Sequence, residues 1–395
     1  MKNLKTFQRL RPFVAAFALL PLAASCRADT AIEPVAKEQW KTAYFKRGFV
    51  GAFQAGWAGG IDSTIRTRVV IPFDGTKVRV VLAPMRDAET GVSKITLARG
   101  KEGEMASVIA GTPIPLNFAG TAKTVIAAGG TEVVSDAAEA SVKRGVWYLQ
   151  QSYSSEKYSY AYSADGFFQQ AGDHHDTPAL EQFAAGAWPG NVDRVEVLTA
   201  DTRPMILCYG DSITAGYNAT PNAGKSYPEV LGQLTNLPTL NLGVNGDLIQ
   251  QTGGVSSLIK SLNGVETVIV LMGINDIING NIKTIEEYSQ IASSLVSNLK
   301  REGKKVFWGT ITPAAGNKGF DASPEKETLR QSINAWIRQK SGADAVLDFD
   351  AALADPQNPA RMKTEYQSDW LHPSDAGYHK MAEVAAKAFT TPGIR

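Results

Sequence analysis

From Met205 onward, short apolar runs alternate with longer stretches of helical period, and this alternation constrains the fold more than any other feature. The runs are "MILCYG", "TLNLGV", "ETVIVLMG", "KKVFWGTITP" and "DAVLDFD". Between and after them come "SYPEVLGQLTN", "IEEYSQIASSLVSNLKREG", "PEKETLRQSINAWIRQK" and "SDAGYHKMAEVAAKAF". A strand that is apolar on both sides of its pleat must be covered on both faces, and helical crossovers join strands in parallel. The pattern predicts an α/β domain with a parallel sheet over residues 203–395.

The texture before this is different. "TIRTRVVIPFDGTKVRVVLAPM" holds two Val- and Ile-rich runs around Asp74-Gly75, a hairpin signal, and "KTVIAAGG", "GVWYLQQSY" and "YSYAYS" follow. Frequent strands without long amphipathic helices predict an antiparallel, β-sandwich-like accessory domain over residues 40–200. The boundary falls near Asp201 to Pro204. Trp147, Tyr148, Tyr153, Tyr158, Tyr160 and Tyr162 read as the packed face of a sheet, with a sugar-stacking surface as the alternative.

The N-terminus reads as an export signal over residues 1–28. Lys2, Lys5, Arg9 and Arg11 precede the apolar "PFVAAFALLPLAA" and the small residues of "ASCRA". That run falls short of the ~20 residues a membrane-spanning helix needs, and no later segment reaches it. With only two cysteines there is no disulfide framework. Cleavage after Ala28 is the simpler expectation, and a lipid anchor at Cys26 is its alternative, so the chain is expected to be periplasmic or secreted. Forty basic residues against 39 acidic ones give a net charge of +1, with no basic stripe for nucleic acid.

In a parallel sheet, sites form beyond the carboxyl ends of the strands. There the sequence places Gly210-Asp211-Ser212, the loop Asn241 to Asp247, the run Gly273 to Asp276, and "SDWLHPSD" with Asp369 three residues before His372. Each alone has a plainer explanation: a helix cap, a turn, a loop end, a surface ion pair. Together they fill a catalytic inventory. A serine hydroxyl needs a base to take its proton, and the base needs a third group to orient it. Of the four histidines, His174, His175, His372 and His379, only His372 has an aspartate at a spacing that lets one loop deliver both. Amides at Gly246 and Ser212 and the side chain of Asn275 are candidate donors to an oxyanion.

These segments resemble the four blocks of the SGNH (GDSL) hydrolases. "GDSITAG" matches the nucleophile block with Ser212, and "NLGVNGD" the glycine block with Gly246. "GIND" matches the asparagine block with Asn275, and "DWLH" the last with Asp369 and His372. The second block also aligns with Gly243 as the donor. The resemblance implies a flavodoxin-like three-layer α/β/α fold, and a Ser-His-Asp triad with an oxyanion hole at Gly246 and Asn275. It also extends to exported bacterial GDSL esterases that carry a β-rich module ahead of the catalytic domain.

The expectation is therefore an exported serine esterase acting on short acyl esters, O-acetyl foremost, of a small molecule or polysaccharide, with no metal or organic cofactor. The rivals are a lysophospholipase or general lipolytic esterase and, in another class, a catalytically inactive carbohydrate-binding protein. "DHHD", Asp173 to Asp176, holds ligand-type residues but reads as a polar loop, and the absence of G-x-S-x-G sets the chain apart from the α/β-hydrolase elbow.

Overall fold

A computed structural model describes residues 36–390 apart from 46–48, 55–62, 86–87, 155–156, 190–191, 254 and 322. The expected export signal and Cys26 lie outside the described residues. Among those described, no helix is long and apolar enough to cross a membrane.

The apolar runs of the C-terminal half form one parallel sheet. Its order is Thr239–Gly243, Met205–Gly210, Val265–Leu271, Lys305–Gly309 and Ala345–Leu347. Numbered along the chain this is second, first, third, fourth, fifth, the flavodoxin-like order. Every residue of Met205–Gly210 is buried, which is what a strand covered on both faces requires. Helices Tyr227–Thr235 and Asp375–Thr390 pack together, and so do Ile285–Arg301 and Pro324–Lys340. The result is the expected three-layer α/β/α arrangement.

Local chemistry supports the helices. In Ile285–Arg301, Thr284 and Glu287 make a reciprocal capping box, with Glu286 and Glu287 in the first turn and Lys300 and Arg301 in the last. That places acidic groups at the positive end of the helix dipole and basic groups at the negative end.

The N-terminal half is two antiparallel sheets. One joins Gln39–Phe45, Val192–Thr199 and Gly75–Leu82, and the other contains Ser63–Ile71, Thr90–Arg99, Gly145–Tyr153, Lys157–Ala171 and Gln182–Pro189. The expected hairpin at Asp74-Gly75 is not formed. Ser63–Ile71 and Gly75–Leu82 lie in different sheets, so the turn between them is a corner from one sheet to the other. The physical reason is burial. Ser63–Ile71 is covered along nearly its whole length, and Gly75 is wedged where an added Cβ would meet Val197 at 2.2 Å and the Leu198 carbonyl oxygen at 2.6 Å.

Trp147, Tyr148 and Tyr153 are at most 3% exposed, which makes them core rather than a sugar-stacking surface. The side chains of Tyr158, Tyr160 and Tyr162 lie outside the described residues. The "DHHD" loop is satisfied from within the protein. His175 is buried, its Nδ1 2.8 Å from Thr96 Oγ1 and its Nε2 3.0 Å from Ser152 Oγ, while Asp173 pairs with Lys94. Burial depresses His175 to about 4, so it is a neutral core residue at ordinary pH.

Candidate active site

The carboxyl end of Met205–Gly210 runs directly into a one-turn helix, Ser212–Ala215. Gly210 makes this turn possible, since an added Cβ would lie 2.2 Å from Thr214 Oγ1 and 2.5 Å from the Leu271 carbonyl oxygen. Asp211 caps the turn, its Oδ1 accepting from the Ile213 amide at 2.9 Å. Ser212 is thereby the first helical residue, where the backbone amide has no acceptor inside the helix.

Across the site, Ser212 Oγ lies 2.9 Å from His372 Nε2, and His372 Nδ1 lies 2.8 Å from Asp369 Oδ2. The other Asp369 oxygen accepts from the backbone amides of Leu371 at 3.0 Å and His372 at 2.7 Å. Burial works to raise the Asp369 carboxyl, but the bonds from the His372 backbone and imidazole outweigh it and hold the group below its ordinary value. An ionised Asp369 facing Nδ1 leaves Nε2 as the free acceptor toward Ser212.

The second and third loops meet beside this array. The Val244 amide donates to the Gly210 carbonyl at 2.9 Å, and the Asp247 amide to the Val244 carbonyl at 3.0 Å. Gly246 sits in this turn at φ +77°, open on its Cα side. Gly273, at φ +123°, turns Val265–Leu271 into the helix Ile274–Asn279, and Tyr288 and Ile311 crowd it too closely for a side chain. One amide proton of Asn275 is used on the Asp247 carbonyl at 3.1 Å, and a carboxamide has a second.

The alternative glycine stands differently. The Gly243 amide already donates to Asn241 Oδ1 at 2.9 Å, and a Cβ at Gly243 would meet the Ala215 nitrogen at 2.1 Å. Gly243 is a close-packing residue behind the helix Ser212–Ala215.

Sequence reading overlooked several contributors. Tyr217 lies with its ring 4.6 Å from that of His372 and is 40% exposed. Asn218 donates to Asp369 Oδ2 at 3.1 Å. Asp276 is fully buried, and its Oδ2 accepts from the Ile249 amide at 2.9 Å, tying the Gly246 loop to the Asn275 helix. "YN" directly after the "GDSITAG" block was the only local signal for the first two.

Residues 208–380 match the model of the GDSL-like lipase/acylhydrolase family. Solved structures that resemble the chain include a member of the lipolytic protein G-D-S-L family from Veillonella parvula, 22% identical over 47% of this chain and 98% of that one, with a TM-score of 0.39. A GDSL-like lipase from Bacteroides thetaiotaomicron is 17% identical over 47% of this chain and 87% of its own, with a TM-score of 0.39. A carbohydrate acetylesterase family member from Sinorhizobium meliloti is 16% identical over 47% and 97%, also with a TM-score of 0.39. No curated protein matches the sequence. The four blocks in order and the flavodoxin-like sheet that presents them fall where the family model matches, so residues 208–380 form a GDSL-like lipase/acylhydrolase domain of the SGNH type.

Proposed function

We propose that the protein is an exported serine esterase that removes short acyl groups, O-acetyl foremost, from carbohydrate. The observation that carries the chemistry is the continuous line from Ser212 Oγ through His372 to Asp369, with links of 2.9 and 2.8 Å. Ser212 Oγ attacks the ester carbonyl carbon as His372 Nε2 takes its proton. The oxyanion of the tetrahedral intermediate accepts from the Gly246 amide and the free amide proton of Asn275. Gly246 rather than Gly243 takes this role because the Gly243 amide is already engaged by Asn241. The alcohol leaves with the proton from His372, and water activated by the same imidazole hydrolyses the acyl-enzyme. Asp369 orients the ring and stabilises its charged form.

For substrate, the support is the charged-then-apolar N-terminus, the appended β-rich half, and the partly exposed Tyr217 ring beside His372. An aromatic face next to the reacting atoms suits the C–H face of a sugar ring. The test is hydrolysis of acetylated oligosaccharides beside a chain-length series of synthetic esters. Ser212→Ala and His372→Ala should each lower kcat by about 10⁴–10⁶, and the double variant little further, since the two act as one unit. Near-normal turnover in His372→Ala would remove the triad. Equal or faster hydrolysis of long acyl chains would favour the lipolytic reading, and a chain that binds acetylated sugar without turnover would favour the binding protein.

A further inference from the structure

Trp370 stands between the candidate acid and base, and its backbone is in the left-handed region at φ +65°. A bulky aromatic residue rarely adopts that conformation, and one that does is held there by its surroundings. Here the surroundings are the loop that carries Gly316 and the short strand Asn358–Met362. The base of the indole rests on Gly316, where an added Cβ would lie 2.8 Å from Trp370 Cγ and 3.0 Å from its Cβ and Cδ2. The Arg361 guanidinium lies over the ring, 5.2 Å from its centroid. Loop and strand are tied to each other by the Ala315 amide donating to the Ala360 carbonyl at 2.9 Å, and the Gly316 amide is fixed on both oxygens of Asp321.

The left-handed residue shapes the segment around it. The Ser368 amide reaches the His372 carbonyl at 2.9 Å, so the chain from 368 to 372 is closed into a tight loop. Inside it, one Asp369 oxygen takes the amides of Leu371 and His372 while the other takes His372 Nδ1.

We propose that Trp370 is a positioning residue: its ring, seated on Gly316 beneath Arg361, holds the left-handed turn that sets Asp369 against His372. This rests on the reading of Ser212, His372 and Asp369 as the catalytic groups. Labelling of Ser212 by a serine-reactive organophosphate separates the two, because failure of wild-type protein to label overturns that reading and leaves the geometry of Trp370 unaddressed.

The experiment compares Trp370→Ala, Trp370→Gly and Trp370→Phe on a small synthetic ester, with kcat and KM resolved and thermal unfolding followed in parallel. Displacement of a catalytic group by about an ångström costs on the order of 10²-fold. Trp370→Ala, which keeps the backbone penalty and loses the seat, should lower kcat roughly 10- to 100-fold with KM little changed. Trp370→Gly adopts a positive φ without penalty and should recover most of that loss, although glycine normally loosens a chain more than alanine does. Trp370→Phe keeps a ring for Gly316 and should stay within about threefold of wild type. Wild-type kcat in folded Trp370→Ala would overturn the proposal. So would equal losses in the alanine and glycine variants, or a Trp370→Phe protein as impaired as Trp370→Ala.

Discussion

Asn275 decides how the proposed oxyanion hole is built. Its side chain has two amide protons and uses one to hold the Asp247 carbonyl at 3.1 Å. The asparagine thus has a structural task and a proton left for substrate, and Asn275→Ala separates them. If the second proton meets the oxyanion, kcat should fall about 10²–10³-fold, or ~2.7–4 kcal/mol, with KM barely moved, because the bond strengthens in the transition state. If the residue only ties two loops together, the melting temperature should fall while activity per folded molecule stays high. Steady-state kinetics beside thermal unfolding distinguishes the two. Asn218 belongs to the same scale: six residues after Ser212 in the chain, it donates to Asp369 Oδ2 and links the segment that follows Ser212 to the far end of the proposed array.

The one-turn helix Ser212–Ala215 is too short to be stable alone, and its cap carries a pH dependence. Burial pushes the Asp211 carboxyl up to about 7; the bond from the Ile213 amide opposes this, and the charges of Asp247 and Asp276 add to it. The same carboxyl in the unfolded chain titrates near 3.8. Between those values the unfolded chain has released the proton and the folded protein retains it, so this group's contribution to stability falls as pH rises from about 4 to about 7. Asp211→Asn keeps an oxygen for the Ile213 amide and cannot ionise. It should flatten the decline of melting temperature across that interval and leave stability at pH ~8 no lower than wild type. A variant less stable than wild type at alkaline pH would mean that the ionised carboxylate is needed. Elements differ sharply in how far they could be read ahead of the structure. The parallel strands were legible because burial on both faces writes an unbroken apolar run. The same kind of run misled at Asp74-Gly75: full burial records that a strand is covered, not which sheet it joins. Ser212, Asn275, Asp369 and His372 stood out because each is a reactive type beside a strand end or a spaced partner. Trp370 and Asn218 did not, since a left-handed φ and a bond across about 150 residues leave no local periodicity.

At the scale of the whole molecule, the β-rich half and the α/β half share their apolar interior: Val78, Val195 and Ile71 belong to the same buried cluster as Met205, Leu207 and Val268. Polar links cross the junction as well. Lys41, 3% exposed, donates to the Arg203 carbonyl at 3.1 Å, and Arg203 in turn reaches the Pro72 carbonyl at 2.9 Å. Arg68 meets Glu229 at 2.6 Å, with side chains only 8% and 21% exposed. A cavity of about 70 Å³ at this junction is lined by Tyr44, Arg68 and Glu229 together with Ala215 and Gly216, the end of the helix that Ser212 begins. The β-rich half is therefore continuous with the wall behind Ser212 rather than tethered beside it. Residues 36–395 should accordingly unfold in one cooperative calorimetric transition. Arg68→Ala leaves Glu229 without this partner at a mostly buried position and should cost about 1–3 kcal/mol, lowering that single transition by a few degrees. Two separate transitions, with Arg68→Ala shifting only the one that belongs to residues 40–200, would show that the halves are thermodynamically independent. A chain beginning at Thr202 would then be expected to keep its full stability, whereas a shared interior requires it to lose most of it.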